Sequence, residues 1–150
     1  MQSDLQNVLT PCAQHLAKKQ VMTKFRFQDL EIWKESIEIG NILFDIADKL
    51  EAKKLFRFAE QLRGAGMSMS NNIAEGSGSS SKTEFRNFLN IAKRSTFENA
   101  NILIILNKRE LIADDILEDL LDRLDHLCRK TTNFQRHCSK RSLCYALCAN

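Results

Sequence analysis

The chain has 150 residues, of which 43% are hydrophobic and 27% are charged, a composition typical of a single globular domain with its own core. It contains no apolar run approaching the ~18 residues that a membrane span requires, and its N-terminus lacks the basic start and apolar stretch of a secretory signal. We therefore expect a cytoplasmic protein that does not enter a membrane.

The net charge of +3 combines segments of opposite sign. Residues 53–109 carry 10 basic and 4 acidic side chains, and residues 129–150 carry 5 basic and no acidic ones. Residues 110–128, by contrast, carry 1 basic and 7 acidic side chains. Basic segments of this kind either bind phosphate backbones or keep a surface hydrated, and charge alone leaves both interpretations open.

The cysteines do not form the pattern of a disulfide framework, because their number is odd and three lie close to the C-terminus. Cys144 and Cys148 are one helical turn apart with His137 nearby, which is compatible with a metal site. The paired C-x-x-C spacing of structural zinc is absent, however. We expect free thiols, no metal and no cofactor. The cysteines are Cys12, Cys128, Cys138, Cys144 and Cys148.

Four helices are predicted from the apolar periodicity, preceded by a poorly ordered extension over residues 1–23. The first helix spans residues 30–52, with Asp29 as its N-cap. Its core stripe is expected to comprise Leu30, Trp33, Ile37, Gly40, Phe44 and Ala47. A second apolar stripe lies about 120° round the helix, too far away to share those contacts. It comprises Ile32, Ile39, Leu43, Ile46 and Leu50, and we expect it to require a second burying surface.

Glycine and serine residues mark the boundary between the second and third helices. The second helix is predicted over residues 55–75, and Gly76 is expected to close it in the left-handed conformation. A short serine-rich loop follows. Ser81 and Glu84 then match a capping box that starts a third helix over residues 82–109.

The third helix is apolar on more than one side. Its core face is expected within about 100° of arc, at Phe85, Phe88, Leu89, Ala92, Thr96, Leu103 and Leu106. Ile91, Phe97 and Ile104 lie away from the centre of that arc, and Ile105 lies nearly opposite. A monomer would expose these side chains as an apolar patch, so we predict a homo-oligomer. The predicted interface comprises Ile39, Leu43, Ile46, Ile91, Phe97, Ile104 and Ile105.

The fourth helix is predicted over residues 114–136. Acidic side chains cluster near its start, where they complement the positive end of the helix dipole and need no functional explanation. Residues 137–150 are read as a C-terminal tail. The predicted fold is all-α: an antiparallel, up-down four-helix bundle over residues 24–136 with short loops.

Candidate catalytic groups are scarce. The three histidines are His15, His126 and His137, and two of them fall in the predicted appendages. The segment around Gly76 and Gly78 lacks both the lysine and the preceding strand of a phosphate-binding loop. We therefore expect that the protein is not an enzyme.

A basic stripe on the third helix is the main candidate binding feature. Lys82, Arg86 and Lys93 fall within about 40° of one another, and we add Arg57 and Arg94 as predicted phosphate contacts. The alternative is that these side chains form the hydrated face of a bundle helix. Repetition of the stripe in a ring would favour nucleic-acid binding, because several modest patches then act on one ligand.

Five polar residues are expected to have structural roles: Arg63, Asn72, Glu75, Ser81 and Glu84. Glu75 lies at a helix C-terminus, where the dipole disfavours negative charge, so it should either have a partner or be solvated. Arg63 is about three turns from Glu75 and should therefore pair with a neighbouring helix or subunit.

Two sequence blocks together resemble a known bacterial family. The first is Phe27-Gln-Asp-Leu-Glu-Ile-Trp-Lys34. The second combines Gln61-Leu-Arg63 and Ser68 with Asn72-Ile-Ala-Glu-Gly76 and the Ser81 to Leu89 segment. Over residues 24–135 the chain resembles the four-helix-bundle proteins encoded in intervening sequences of large-subunit ribosomal RNA genes. It departs from that pattern at Ser70, where proline is common, and at Asn99 and Ala100.

That family is related to the accessory variability determinant of diversity-generating retroelements. The relationship implies a basic barrel of four-helix bundles, with a pentamer as one form, and a reverse transcriptase and nucleic acid as partners. Two hypotheses follow. The first is a non-enzymatic, homo-oligomeric scaffold that binds RNA or DNA or partners a reverse transcriptase. The second is a structural assembly module that recruits a protein through the apolar surface near Phe97 and Ile104, without binding nucleic acid.

Overall fold

The computed structural model describes residues 23–140, and side chains for residues 23–138. A 3-10 turn (Arg26–Asp29) leads into four helices, α1 (Glu31–Ala52), α2 (Phe56–Ser77), α3 (Lys82–Lys108) and α4 (Asp114–Lys140). The predicted all-helical fold is confirmed. The last helix runs four residues past the predicted end at 136, which shortens the predicted tail. Residues 1–22 and 141–150, with Cys144 and Cys148, lie outside the described residues.

Each helix packs against its neighbours in chain order, and α4 closes the bundle against α1. The α1–α4 seam has the least contact of the four and is bridged by an ion pair between Lys130 and Glu35. Short loops make consecutive helices antiparallel. Within residues 23–140, no helix combines the length and the apolar surface that a bilayer crossing needs.

The core corrects the assignment of faces on α1. Ile39, Leu43 and Ile46, expected to face another copy of the chain, are only 3%, 0% and 6% exposed within one bundle. Of the stripe predicted as the core, Gly40 and Ala47 are buried, whereas its larger side chains are partly buried: Leu30, Trp33, Ile37 and Phe44. Because α1 lies between α2 and α4, its two neighbours bury a wider arc than a single helix contact would. No second copy is needed to cover these three residues.

The end of α2 also differs from the prediction. Among residues 23–140 no glycine has positive φ, and α2 continues through Gly76 to Ser77. Gly76 is needed for close packing instead, because a Cβ there would lie 2.6 Å from Cβ of Phe88 and 2.8 Å from Cδ2 of Phe85. The absence of a side chain lets α2 and α3 approach at this point.

The starts of α1 and α3 are held in different ways. The Ser81 hydroxyl accepts a hydrogen bond from the Glu84 amide at 3.1 Å, which is one of the two bonds of a capping box. Asp29, predicted as the N-cap of α1, is not the cap, because Leu30 occupies that position. Arg26 instead ties the 3-10 turn to the bundle by donating from Nη2 to the Ser77 carbonyl oxygen at 2.7 Å.

Replacing Gly76 tests the close approach of α2 and α3. We expect Gly76→Ala to lower the free energy of unfolding by about 1–3 kcal/mol, as overpacking does in a filled core. Gly64→Ala is the matched control, since Gly64 is exposed on the same helix and its Cβ would meet no atom within 4 Å. That change should stabilise the protein by about 0.5–1 kcal/mol. Urea unfolding measures both, and equal stabilisation by the two changes would contradict this packing.

Candidate functional site

Three of the predicted binding residues form one basic strip, defined here as Lys82, Arg86 and Lys93. They lie on the flank of α3 that faces α4, because Nζ of Lys93 donates to Oε1 of Gln135 on α4 at 2.8 Å. Arg86 is exposed, and Lys82 and Lys93 are partly buried. The strip therefore presents three cations along about 17 Å of the helix axis.

Gln135 organises this strip, and sequence reasoning missed it. Its Nε2 donates to the Arg86 carbonyl oxygen at 3.0 Å and to Oδ1 of Asn90 at 2.8 Å. Its Oε1 accepts from Lys93. A single amide thus joins α4 to two turns of α3. Because the Lys93 bond is to a neutral amide, it holds the ammonium in place without neutralising its charge.

The C-terminal half of α4 adds positive charge beside the strip. The rings of Phe85 and Phe134 meet edge to face with centroids 5.8 Å apart, which sets this half of α4 level with the start of α3. Arg129 and Arg136 are exposed there. Asp125 forms an ion pair with Arg129 and partly offsets its charge.

Arg57 and Arg94 are not part of the strip. Arg57 lies in the first turn of α2, at the opposite end of the bundle from Lys82. With Ser68 of α2 bonded to Ser95 of α3, the helical rise places the two residues roughly 36 Å apart along the axis. Arg94 shares α3 with the strip but points about 100° away from Lys93. The predicted set of five therefore divides into a strip of three and two separate cations.

Arg63 pairs with acidic side chains of a neighbouring helix, whereas Glu75 is exposed to solvent. The Arg63 guanidinium contacts carboxylates of Asp48 and Glu51 on α1, each at 2.5 Å, so its partners lie on a neighbouring helix. The hydrogen bonds that Arg63 donates to Asp48 and, to a lesser extent, to Glu51 raise the pKa of Arg63 above its ordinary value. Glu75 is exposed, and no ion pair joins it to another side chain of residues 23–138, which favours the solvated alternative.

A polar ladder joins α2 and α3. The Ser68 and Ser95 hydroxyls are 2.8 Å apart, and Asn72 donates from Nδ2 to the Ser68 carbonyl oxygen at 2.7 Å. Asn99 is fully buried and donates from Nδ2 to the Ser95 carbonyl oxygen at 2.8 Å. Its Oδ1 has no hydrogen-bond partner in the described part of the chain. Asn72 thus bonds one turn back along its own helix, and Asn99 was not among the polar residues expected to have structural roles.

The exposed apolar side chains of α3 divide between its two flanks. Phe97 and Ile104 are 69% and 37% exposed and lie within about 40° of Lys93, on the side of α4. Ile91 and Ile105 are 42% and 37% exposed and lie within about 80° of Ser95, on the side of α2. These four residues of the predicted interface are accessible in one chain.

A groove of about 280 Å³ opens at the loose α1–α4 seam. It is lined by Glu35, Glu38, Ile39, Asp122, Arg123 and His126. Sequence reasoning did not bring these acids and His126 together. Glu38, Asp122 and His126 are exposed to water, and Glu35 is partly buried. Among the described residues, no group of three or more His, Cys, Asp or Glu side chains could hold a metal ion.

Comparison with known proteins gives a family and a fold. The model of a family described as 23S rRNA-intervening sequence protein matches residues 28–133. A solved structure of a protein of unknown function from the S23 ribosomal protein family of Bacteroides thetaiotaomicron VPI-5482 is 23% identical, with a TM-score of 0.66. The match covers 69% of this chain and 97% of that chain, and at this identity it shows a shared fold. None of the curated proteins matches this chain.

Removal of the Gln135 amide tests its bridging role. We expect Gln135→Ala to lower the free energy of unfolding by about 1–2 kcal/mol, because the bonds to Arg86, Asn90 and Lys93 are lost together. Asn133→Ala is the control, since Asn133 is exposed and about 160° away on the same helix. Thermal unfolding measures both changes. A loss no larger for Gln135→Ala than for the control would show that the bridge does not hold α4 to α3.

Proposed function

The chain belongs to the 23S rRNA-intervening sequence protein family, and from this premise we propose that it is a non-enzymatic scaffold that binds nucleic acid through the basic strip. The observation that carries the proposal is the alignment of Lys82, Arg86 and Lys93 on one accessible flank of α3. Lysine and arginine side chains on a fixed helix can follow consecutive phosphates.

The surroundings of the strip favour a polyanion. Gln135 holds the Lys93 ammonium in place through a neutral bond, so its charge remains available to a phosphate. Arg136 of α4 lies at the same end of the bundle and extends the positive surface. The acidic half of α4, residues 114–125, lies at the other end and would repel a phosphate backbone. Nucleic acid is therefore expected to contact one end of the bundle.

Self-assembly is the second part of the proposal. Ile91 and Ile105 lie on the α2 side of α3 and are exposed in one chain. An exposed apolar pair gives a second copy of the chain a surface against which it can pack. A ring would repeat the basic strip and strengthen binding through multivalency. The pentamer and the reverse-transcriptase partner remain hypotheses that follow from the family relationship.

The second candidate function is recruitment of a protein partner without nucleic-acid binding. It is favoured by the exposure of Phe97, which at 69% is the highest among the large apolar side chains of residues 23–138. This candidate predicts that changes in the basic strip leave function intact.

Loss of the strip should weaken nucleic-acid binding. We expect Lys82→Ala with Arg86→Ala to lower affinity for RNA and DNA at low salt. The logarithm of the association constant falls linearly with the logarithm of the salt concentration. If both side chains contact phosphates of a DNA duplex, the magnitude of that negative slope should be smaller by about 2 in the double variant. Fluorescence anisotropy with labelled oligonucleotides over a salt series measures both quantities.

Arg57→Ala is the control for the strip, since it removes a cation roughly 36 Å away along the bundle. It should leave affinity and salt slope unchanged. Equal affinity of the wild type and the double variant for both nucleic acids would sink the proposed function.

Charge on the α2 side of α3 should prevent assembly. We expect Ile91→Asp with Ile105→Asp to convert an oligomer into monomers, because the carboxylates would be desolvated in the contact. Ile116→Asp on α4 is the control, with a comparable exposure of 39%. Sedimentation velocity measures the oligomeric state of each variant. A wild-type protein that remains monomeric at high concentration would contradict self-assembly.

A further inference from the structure

We propose that the seam between α3 and α4 docks an amphipathic helix of a partner protein, with an apolar stripe and a lysine- or arginine-rich flank. The proposal deepens the second candidate function, on which it rests, and does not require nucleic-acid binding. The surface, named here the apolar groove, is formed by Phe97, Ile104, Leu121 and Cys128. None of these residues belongs to the basic strip.

Two hydrogen bonds between α3 and α4, one at each end of their seam, show where the apolar groove lies. Nζ of Lys93 contacts Gln135 at 2.8 Å, and Nδ2 of Asn107 contacts Oδ1 of Asp114 at 2.7 Å. The antiparallel segments between these bonds contain the groove residues. Leu121 and Cys128 lie within about 40° of Gln135 on α4 and therefore face the α3 side.

The apolar side chains have the spacing of a helix-binding surface. Phe97 and Ile104 are seven residues apart on α3, and Leu121 and Cys128 are seven residues apart on α4. Two rows with this repeat match a partner helix that presents apolar residues at i, i+3 or i+4, and i+7. Leu121 and Cys128 are partly buried, whereas Phe97 projects furthest into solvent.

Acidic side chains of α4 determine which charge the flank of the partner helix should carry. Glu118 and Asp125 are exposed. Around the axis of α4 they lie about 40–60° from Leu121, on the side away from the core, and therefore along the α4 edge of the groove. Glu118 has no ion-pair partner in the described residues, although Asp125 pairs with Arg129. The half of α4 over residues 114–127 carries six acidic side chains and one basic side chain. A partner helix with lysine or arginine along this edge would complement it, and an acidic helix would be repelled.

The length of the groove sets the size of the partner helix. From Lys93 to Lys108, α3 rises about 22 Å, which a helix of about 15 residues would cover. At one end the basic strip begins, and at the other end α3 finishes at Lys108. A basic helix is therefore expected to remain on the acidic half of the seam, away from Arg86.

A designed peptide tests the groove directly. The probe is a fluorescein-labelled helical peptide of about 15 residues, with leucine at helical spacing and lysine along one flank. We expect anisotropy to show binding to the full chain, and Phe97→Ala with Ile104→Ala to weaken it about tenfold or more, as loss of apolar anchors does. Glu118→Gln with Asp125→Asn should weaken binding and reduce its salt dependence.

Two controls make the test specific. Ile91→Ala with Ile105→Ala removes comparably exposed apolar side chains from the other flank of α3 and should leave peptide affinity unchanged. A peptide with glutamate in place of lysine should bind more weakly. Circular dichroism checks that each variant remains folded.

Three results would overturn the proposal. The first is unchanged lysine-peptide affinity after Phe97→Ala with Ile104→Ala, and the second is equal binding of the glutamate peptide. The third is a pair of observations: the wild type binds no peptide, and Phe97→Ala with Ile104→Ala converts an oligomer into monomers. That result would assign the groove to a second copy of the chain. Failure of oligonucleotide binding alone would remove the nucleic-acid proposal and leave this one standing.

Discussion

The close contact between α2 and α3 is the constraint on which the functional surfaces depend. Gly76 leaves room for Phe85 and Phe88, and a hydroxyl pair between Ser68 and Ser95 joins the same two helices further along. Gln135 then fixes the other flank of α3 to α4. With both flanks held, α3 cannot rotate about its axis. The direction in which each of its outward side chains points is therefore set by packing within a single chain.

Because the rotation of α3 about its axis is fixed, this helix presents three separate surfaces: one basic and two apolar. Towards α4, the start of α3 presents the basic strip, and its later turns present Phe97 and Ile104 beside the acids of α4. Towards α2, Ile91 and Ile105 form a second apolar surface. Charge changes sign along the bundle axis, so a polyanion and a basic helix would bind at opposite halves of the same seam. The basic strip and the surface proposed to dock a partner helix therefore do not overlap.

Periodicity predicted the helices well, because each boundary depends on local sequence. The first three helices begin and end within two residues of the predicted limits. Tertiary contacts decided what periodicity could not: which stripe of α1 becomes the core, why Gly76 is small, and where Arg57 lies relative to Lys82. Gln135 gave no signal, since a glutamine near a helix end is unremarkable until its neighbours are known. Charge on α3 predicted the strip, and the turn of about 100° between successive residues already sets Arg94 apart from it.

Backbone amide shifts of isotope-labelled protein, followed by NMR while a short RNA is added, test most directly whether the rotation of α3 determines where a polyanion binds. If packing within one chain determines the binding surface, the largest changes occur at Lys82, Arg86 and Lys93 and at the Gln135 side-chain amide, with little change at Arg57. Changes centred on Arg57 or Arg94, or spread evenly over all basic residues, would show that it does not.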